Sequence, residues 1–221
     1  MITSVVLQAL RSSIAAVVSV AVLAPLSCSP TQGPLVLSNE WPTEPQSLPA
    51  ATRTWTRVDE YRAGLSQDAE LIVRLSATFR SPAWRAAYVN HLGKIGQLSP
   101  TQIAKLRAAQ EKAGAKYHEF ALLVATHDRR INDLAKGDRS VWRMVLIDSN
   151  GNDVAPLEVF KDRRPPAEIR AELPHLTAFD EVYIARFPAN HPILAAGSKS
   201  FSLKLWSGRG GVTAVWTDSH Q

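Results

Sequence analysis

The sequence predicts an α+β fold, an antiparallel β-sandwich into which a helical hairpin is inserted. Three observations support this fold class. Residues 70–80 (ELIVRLSATFR) alternate between apolar and polar side chains, two Ser-Pro pairs are each followed by apolar residues at helical spacing, and seven or eight short strand-like segments are separated by turn signals. These patterns indicate one core between layers of strands, with the helices confined to one stretch of the chain.

The strand at residues 70–80 carries the clearest periodic signal. The apolar side chains of one face are Leu71, Val73, Leu75, Ala77 and Phe79. Successive side chains of a strand point to opposite faces, so the polar side chains between them lie on the other face. We expect a half-buried strand with a firm register, because a slip of one residue would expose the whole apolar face.

The helical hairpin is predicted at residues 82–114. Ser81 and Ser99 are each followed by proline, which is typical of a helix start, and Gln102 adds a capping box to the second start. Gly114 can end the second helix. The predicted inner face comprises Trp84, Tyr88, Leu92 and Ile95 in the first helix, and Ile103, Leu106 and Ala113 in the second.

The other strands are predicted from short apolar runs. Residues 53–61 form either a first strand or a short helix, and residues 117–126 either return directly to the sheet or first extend the helix. Asn150-Gly151 is a strong hairpin signal, and Pro156 indicates an edge or a bulge. Further strands are predicted at 141–147, 154–160, 181–187, 200–206 and 212–216, with a helical turn or two at 165–173. Trp84, Trp142, Trp206 and Trp216 lie on these elements and are predicted core residues.

The N-terminal stretch has the pattern of an export signal. Arg11 is the only charged residue among the first 39, and the apolar run at residues 14–26 is too short to span a bilayer comfortably. We therefore expect a signal peptide at 1–27, a proline-rich tether at 28–52 and a folded domain at 53–221. Trp41, within the tether, either docks on the domain or the membrane surface or recognises a ligand.

Cys28, the only cysteine, follows directly after the apolar run. A lone cysteine cannot form an internal disulfide. The segment APLSCS at residues 24–29 resembles the lipobox of bacterial lipoproteins, in which a small residue, here Ser27, precedes a cysteine that is lipidated and becomes the mature N-terminus. The resemblance implies lipidation at Cys28, and Ser29 after it implies the outer membrane. A soluble secreted protein and an uncleaved anchor are the alternatives.

The last third of the chain carries a second resemblance. Residues 141–160 (VWRMVLIDSNGNDVAPLEVF), residues 181–188 (EVYIARFP) and the final strand pair are similar to the C-terminal part of uncharacterised bacterial lipoproteins with an immunoglobulin-like sandwich. The resemblance implies an immunoglobulin-like fold and a location in the cell envelope. It transfers no active site.

The charge of the chain is modest. The formal net charge is +5, or +4 once Arg11 is removed with the signal peptide, and no clustered basic stripe stands out in the sequence. Nucleic acid is therefore not an expected partner. Arg129-Arg130 and Arg163-Arg164 are predicted to be solvated loop residues, with contact to anionic lipid, glycan or a partner as the alternative.

No pattern in the sequence predicts a metal, a cofactor or a catalytic centre. His118-Glu119 and His127-Asp128 are nine residues apart, and on a strand the two histidines face opposite sides. The loop at 148–153 lacks the glycine and glutamate of a calcium loop, and the glycines of 207–211 precede a strand rather than a helix. Both are therefore predicted hairpin turns.

Three functions follow from these observations. The first is a membrane-anchored, non-enzymatic envelope protein that binds a protein partner or assists assembly. The second is a carrier or chaperone for an apolar ligand, with the helical hairpin as a lid over the sheet. The third is a secreted hydrolase, for which Glu119, Asp128 and Glu172 are acidic candidates too scattered in the sequence to name a pair.

Overall fold

The computed structural model describes residues 35–64 and 69–219. The predicted signal peptide, Cys28 and the first part of the predicted tether lie outside the described residues. The strands are β1 Thr56–Ala63, β2 Glu70–Phe79, β3 Tyr117–Thr126, β4 Arg143–Ile147, β5 Asp153–Val154, β6 Glu158–Lys161, β7 Glu181–Pro188, β8 Ser200–Ser207 and β9 Gly210–Thr217. The α-helices are α1 Leu48–Trp55, α2 Pro82–Ile95, α3 Pro100–Lys116 and α4 Pro166–Glu172, and short 3₁₀ helices lie at Arg129–Ile131 and Leu134–Arg139. None of the helices in these ranges is long and apolar enough to cross a membrane.

The strands form two antiparallel sheets. One has five strands in the order β1-β2-β3-β7-β6, and the other has four in the order β5-β4-β8-β9. Aromatic rings connect the sheets, since Phe79 lies 5.4 Å from Phe201 and Phe120 lies 5.5 Å from Trp216 between ring centroids. The predicted α+β class is confirmed at this level, and the arrangement is compatible with a β-sandwich. Trp84, Trp142 and Trp216 are buried as predicted, whereas Trp206 is half-buried.

β2 is buried on both faces. Its inner face follows the prediction, with Val73, Leu75, Ala77 and Phe79 buried and Leu71 half-buried. The outer face differs from the predicted half-buried strand, because Ser76 and Thr78 are also buried. Thr78 Oγ1 lies 2.7 Å from Thr56 Oγ1. Further along the same sheet, Ile169 of α4 and Leu173, which directly follows the helix, pack in one apolar cluster with residues of β3 and β7. The five-stranded sheet is thus covered on its second face as well.

α2 and α3 begin where the Ser-Pro pairs predict. The hydroxyl of Ser81 accepts a hydrogen bond from Trp84 N, and Ser99 forms a complete capping box with Gln102. α3 runs past the predicted end at Gly114 to Lys116, directly before β3. The predicted apolar stripe is only partly buried, because Ile95 is 64% exposed and none of the 17 residues of α3 is buried.

The packed part of the chain begins before the predicted boundary at Arg53. Leu35 and Leu48 are both buried, and residue 53 lies inside α1. Leu35 N donates to Ser219 Oγ and Ser219 N donates to Leu35 O, each at 2.8 Å, so this segment is fixed to the C-terminal end of β9. Residues 35–52 of the predicted tether therefore belong to the fold. Trp41 docks on the domain, with the Arg107 guanidinium 5.1 Å from its ring.

The predicted strand at 154–160 is split at Pro156. β5 ends at Val154 in the four-stranded sheet, and β6 begins at Glu158 in the other sheet. Proline has no backbone N–H to donate to a ladder, so the chain leaves one sheet here and crosses to the other. The two predicted hairpin turns are present: β4 pairs with β5 across the turn at Gly151, and Ser207 pairs with Gly210.

Candidate functional site at the charged end of the five-stranded sheet

The outer face of the five-stranded sheet carries a row of charged side chains. Arg80 follows β2, Glu119 lies on β3, Arg186 on β7 and Glu158 on β6. Strand register places them side by side, because Arg186 is opposite both Glu119 and Glu158, and Arg80 N donates to Glu119 O at 2.9 Å. Side chains that are directly opposite on one face are close enough to pair.

These side chains form a continuous chain of ion pairs. Arg80 Nη1 lies 2.7 Å from Glu119 Oε1, and Arg186 Nε lies 2.6 Å from Glu119 Oε2. Arg186 Nη1 lies 2.8 Å from Glu158 Oε1. Both oxygens of Glu119 are thus occupied by guanidinium groups.

A second branch comes from α4 and the loop before it. Arg80 Nη2 lies 2.9 Å from Glu172 Oε2, and Glu172 is itself bound by Arg164. Arg164 also pairs with Asp162 at 2.7 Å. The prediction that Arg164 is a solvated loop residue is therefore wrong, while Arg163 beside it is exposed.

Arg85 of α2 completes the cluster from above the sheet. The residue is 3% exposed; its Nε donates to Arg80 O at 2.9 Å and its Nη1 to Gln110 Oε1 at 2.7 Å. Nη2 is 3.7 Å from Glu119 Oε1 and has no hydrogen-bond partner among the described residues. Burial lowers the pKa of the Arg85 guanidinium to about 10, with Glu119 acting in the opposite direction. The charge of Arg85 is therefore only partly compensated.

Counted together, the charges of this ionic network balance. Four guanidinium groups face four carboxylates: Arg80, Arg85, Arg164 and Arg186 with Asp162, Glu119, Glu158 and Glu172. Such an arrangement limits the cost of removing each ion from water.

Glu119 remains ionised in this environment. Burial acts to raise the pKa of its carboxyl group, but the guanidinium groups of Arg80, Arg186 and Arg85 outweigh burial and hold the pKa below its usual value. A carboxylate with a lowered pKa and both oxygens bound is a poor proton donor or acceptor near neutral pH. The geometry favours cross-linking of the elements over acid–base chemistry.

A small polar cavity adjoins the network under α2. Its volume is about 50 Å³, and its lining is Arg80, Trp84, Tyr88, Gln110, Arg164 and Glu172. This space suits one or two water molecules with polar partners rather than an apolar ligand. The cavity is thus far smaller than the site that a carrier with a helical lid requires.

A larger cleft of about 370 Å³ lies at the crossover between the sheets. Leu134, Trp142, Met144 and Leu205 are buried apolar lining residues, and Asp138 and Arg143 are exposed lining residues. Residues 155–159 of the crossover also line it. Its size and its mixed apolar and charged lining are typical of a small-molecule site.

The first pair of candidate residues from the sequence, His118 and Glu119, is divided between the two faces of β3. His118 faces the core, where its ring lies 6.0 Å from that of Phe79 and its Nε2 lies 2.8 Å from His191 O. Burial lowers the pKa of His118. Glu119, its neighbour on the strand, belongs to the ionic network on the outer face.

The second candidate pair, His127 and Asp128, lies outside the ionic network. His127 Nε2 is 2.9 Å from Arg209 Nη1, and Asp128 pairs with Arg130 at 3.0 Å. Within residues 35–64 and 69–219, no group of three or more His, Cys, Asp or Glu side chains is placed to hold a metal ion.

Two of the three scattered acidic candidates do converge. Glu119 and Glu172 are bridged by Arg80, whereas Asp128 is outside the cluster. Sequence reasoning missed this convergence, although Glu119 and Arg186 each place a charge within a mostly apolar strand. A charge within a strand that is buried on both faces is the signal that would have indicated buried ion pairs.

Comparisons with known proteins assign no family. No family model matches the sequence, and no curated protein matches it. A solved structure that is similar to this chain is a novel protein of unknown function from Burkholderia pseudomallei, with 14% identity, 72% of this chain and 77% of that chain covered, and a TM-score of 0.33.

Proposed function

We propose that the protein is a lipoprotein of the bacterial cell envelope, anchored through Cys28, whose folded part is a non-enzymatic module for binding or assembly. The observation that carries the proposal is the apolar run at residues 14–26 followed at once by the only cysteine. Ser29 after the cysteine favours the outer membrane. We further group the two-sheet fold with the immunoglobulin-like sandwiches.

The start of the packed chain supports an anchor at this position. Leu35, seven residues after Cys28, is already hydrogen-bonded to Ser219. Seven residues of fully extended chain span at most about 25 Å. A lipidated Cys28 would therefore hold the folded part close to the bilayer surface.

The ionic network supports the non-enzymatic part of the proposal. Its carboxylates are bound by arginines, and its position between α2, α4 and the sheet gives it a cross-linking role. The hydrolase alternative stays a prediction. The two acidic candidates that converge, Glu119 and Glu172, are both paired with Arg80.

Intact-mass spectrometry of protein recovered from membranes tests the anchor. We expect the mass of a chain that begins at Cys28 and carries two or three acyl groups. Cys28→Ala should lose this mass and leave an unmodified chain, whereas the matched control Ser29→Ala should keep it. An unmodified mature wild-type protein in the medium would overturn the proposal.

A carrier of a small apolar ligand is the second candidate, on the strength of the 370 Å³ cleft rather than a cavity under the helices. Ala155 is exposed and lines the cleft, so Ala155→Trp should fill part of it. We expect this variant to bind the apolar dye anilinonaphthalene sulfonate more weakly than wild type, while Ala178→Trp at an exposed site outside the cleft should not. Equal dye binding by both variants would remove this candidate.

A further inference from the structure

The net charge of the chain is concentrated on its helical pair. Residues 82–116, which contain α2 and α3, include six basic residues and one acidic residue, a formal net charge of +5. The whole chain also has a net charge of +5, so the rest contains 19 basic and 19 acidic residues. No basic stripe stands out in the sequence because these side chains are spread over 32 positions, on two helices that pack against each other only in the fold.

Most of this charge is on the surface. The exposed basic residues are Lys94, Lys105, Arg107, Lys112 and Lys116. Arg107 Nε lies 2.8 Å from Glu111 Oε1, and Glu111 is the only acidic residue in residues 82–116. Arg85 is the exception, because it is buried in the ionic network. Without it, the exposed face of the two helices still carries a net charge of +4.

The described chain contacts α3 close to its own beginning, on the side of the helix that carries Arg107. Residues 35–41 lead from the contact with Ser219 to the contact of Trp41 with Arg107 on α3. Six Cα–Cα steps span at most about 22 Å, so the Cα atom of Trp41 lies within that distance of the Cα atom of Leu35, and the Trp41 ring contacts Arg107 of α3 from there. The exposed Ile95 adds an apolar side chain next to Lys94 at the end of α2.

We propose that the exposed basic face of α2 and α3 docks on anionic phospholipid headgroups of the membrane that holds the anchor. This inference rests on the proposed function. Basic side chains near an anionic bilayer are attracted to it only within about a Debye length, roughly 8 Å at physiological ionic strength. The connection to Cys28 limits the distance between the folded part and the surface, and contact of the basic side chains with the anionic headgroups then sets the orientation of the domain.

Lysine acetylation of the anchored full-length protein tests this orientation. The protein is reconstituted into vesicles of phosphatidylcholine alone or with about a third phosphatidylglycerol, and site-specific acetylation rates are measured by mass spectrometry. We expect Lys105, Lys112 and Lys116 to react several-fold more slowly on the anionic vesicles. Lys136 and Lys204, which are exposed but outside the helical pair, should react equally on both. The protection should disappear in 1 M NaCl, where the Debye length is about 3 Å.

Matched variants separate the location of the charge from its amount. Lys94→Gln/Lys105→Gln/Lys112→Gln and Arg139→Gln/Arg163→Gln/Arg170→Gln each remove three exposed positive charges, from the helical pair and from elsewhere, respectively. We expect Lys116 to lose its protection in the first variant and to keep it in the second. Equal loss in both variants would show a non-specific charge effect and overturn the inference.

The outcomes distinguish the two proposals. Protein that stays anchored while its helical lysines react equally on both vesicles overturns this inference alone. Protein that does not remain with either vesicle overturns this inference and the anchor together. Protection by a short DNA duplex but not by anionic vesicles would assign the face to nucleic acid and also overturn it.

Discussion

The two faces of the five-stranded sheet bury different kinds of side chain at the same end of the same strands. Phe79, Phe120 and Phe187 point into the core between the sheets, and their sequence neighbours Arg80, Glu119 and Arg186 form the ionic network on the other face. One residue along each strand therefore separates an aromatic core from buried charge.

The two faces differ in how the stability of the protein depends on their single side chains. Each aromatic side chain contributes through the apolar surface that it removes from water, about 1.5 to 3 kcal/mol for a full burial. Buried ions gain little net free energy as a group, because desolvation offsets their attraction, but loss of one member leaves its partners uncompensated. The core is thus a sum of separate contributions, whereas the network is balanced only as a whole.

The largest effect should come from the aromatic face. Phe120 is fully buried and contacts Phe79, Phe187, Phe201 and Trp216. We expect Phe120→Ala to lower the free energy of unfolding by about 3 to 5 kcal/mol, measured by urea titration, because a cavity adds to the lost transfer free energy.

Phe179→Ala is the control, since Phe179 is 72% exposed. It should change the stability by less than about 0.5 kcal/mol. If Phe120→Ala cost no more than this control, the aromatic rings would not form the core of the cooperative unit.

The second-largest loss of stability should come from the face that carries the ionic network. Glu119→Gln keeps the shape of the side chain but removes the negative charge that faces Arg80, Arg85 and Arg186. We expect a loss of about 3 kcal/mol, at the low end for a broken buried pair because Arg186 is partly exposed to solvent.

The matched control is Glu181→Gln, which breaks the exposed pair of Glu181 with Lys161. Exposed pairs contribute about 0 to 1 kcal/mol. Equal urea midpoints for the two variants would contradict a balanced network and would place Glu119 in the same class as a surface carboxylate.

The pH dependence of stability should separate the two faces further. The pKa of Glu119 is lowered in the folded protein from an ordinary value of 4.5. A lowered pKa means that its stabilising contribution is complete above about pH 4.5 and is lost as the pH falls through the folded-state pKa. Glu119→Gln should therefore lose less stability than wild type between pH 5 and pH 3.

Phe120→Ala should show the same pH dependence as wild type, displaced to lower stability at every pH. Urea titrations at pH 7, 5, 4 and 3 would show both results. A steeper dependence for Glu119→Gln than for wild type would be opposite in sign and would mean that Glu119 is not the stabilised carboxylate.

The inner face could be predicted from the sequence, and the outer face could not. Alternation over residues 70–80 identified Val73, Leu75 and Phe79 as core because the period of a strand is a local property. The partners of Arg80 depend on which strand lies beside β3 and on where α4 docks, and both are non-local. Glu119 and Glu172 therefore looked scattered until the fold brought them to one guanidinium group.

The dependence on non-local contacts also explains why the N-terminal boundary of the folded part was placed too late in the sequence. Prolines predicted a tether at residues 28–52, but Leu35 packs into the core from an irregular segment, and Leu48 packs into it as the first residue of α1. A single apolar residue in an irregular segment, such as Leu35, carries no local signal of its burial. The helix caps, in contrast, were predicted at Ser81 and Ser99 because capping needs only residues within one turn.

The smallest expected effect lies in α3, which has neither kind of buried face. Ser99→Ala removes the cap hydroxyl that accepts from Gln102 N, and a lost cap costs about 1 kcal/mol. Since no residue of α3 is buried, we expect this cost to be local: faster amide exchange in the first turns of α3, with exchange in β3 unchanged. Thr101→Ala, at an exposed position in the same turn, is the matched control and should leave both rates near wild type. A urea midpoint lowered as far as in Glu119→Gln would instead place α3 within the cooperative core, and the contrast between two buried faces and an exposed helix would then fail.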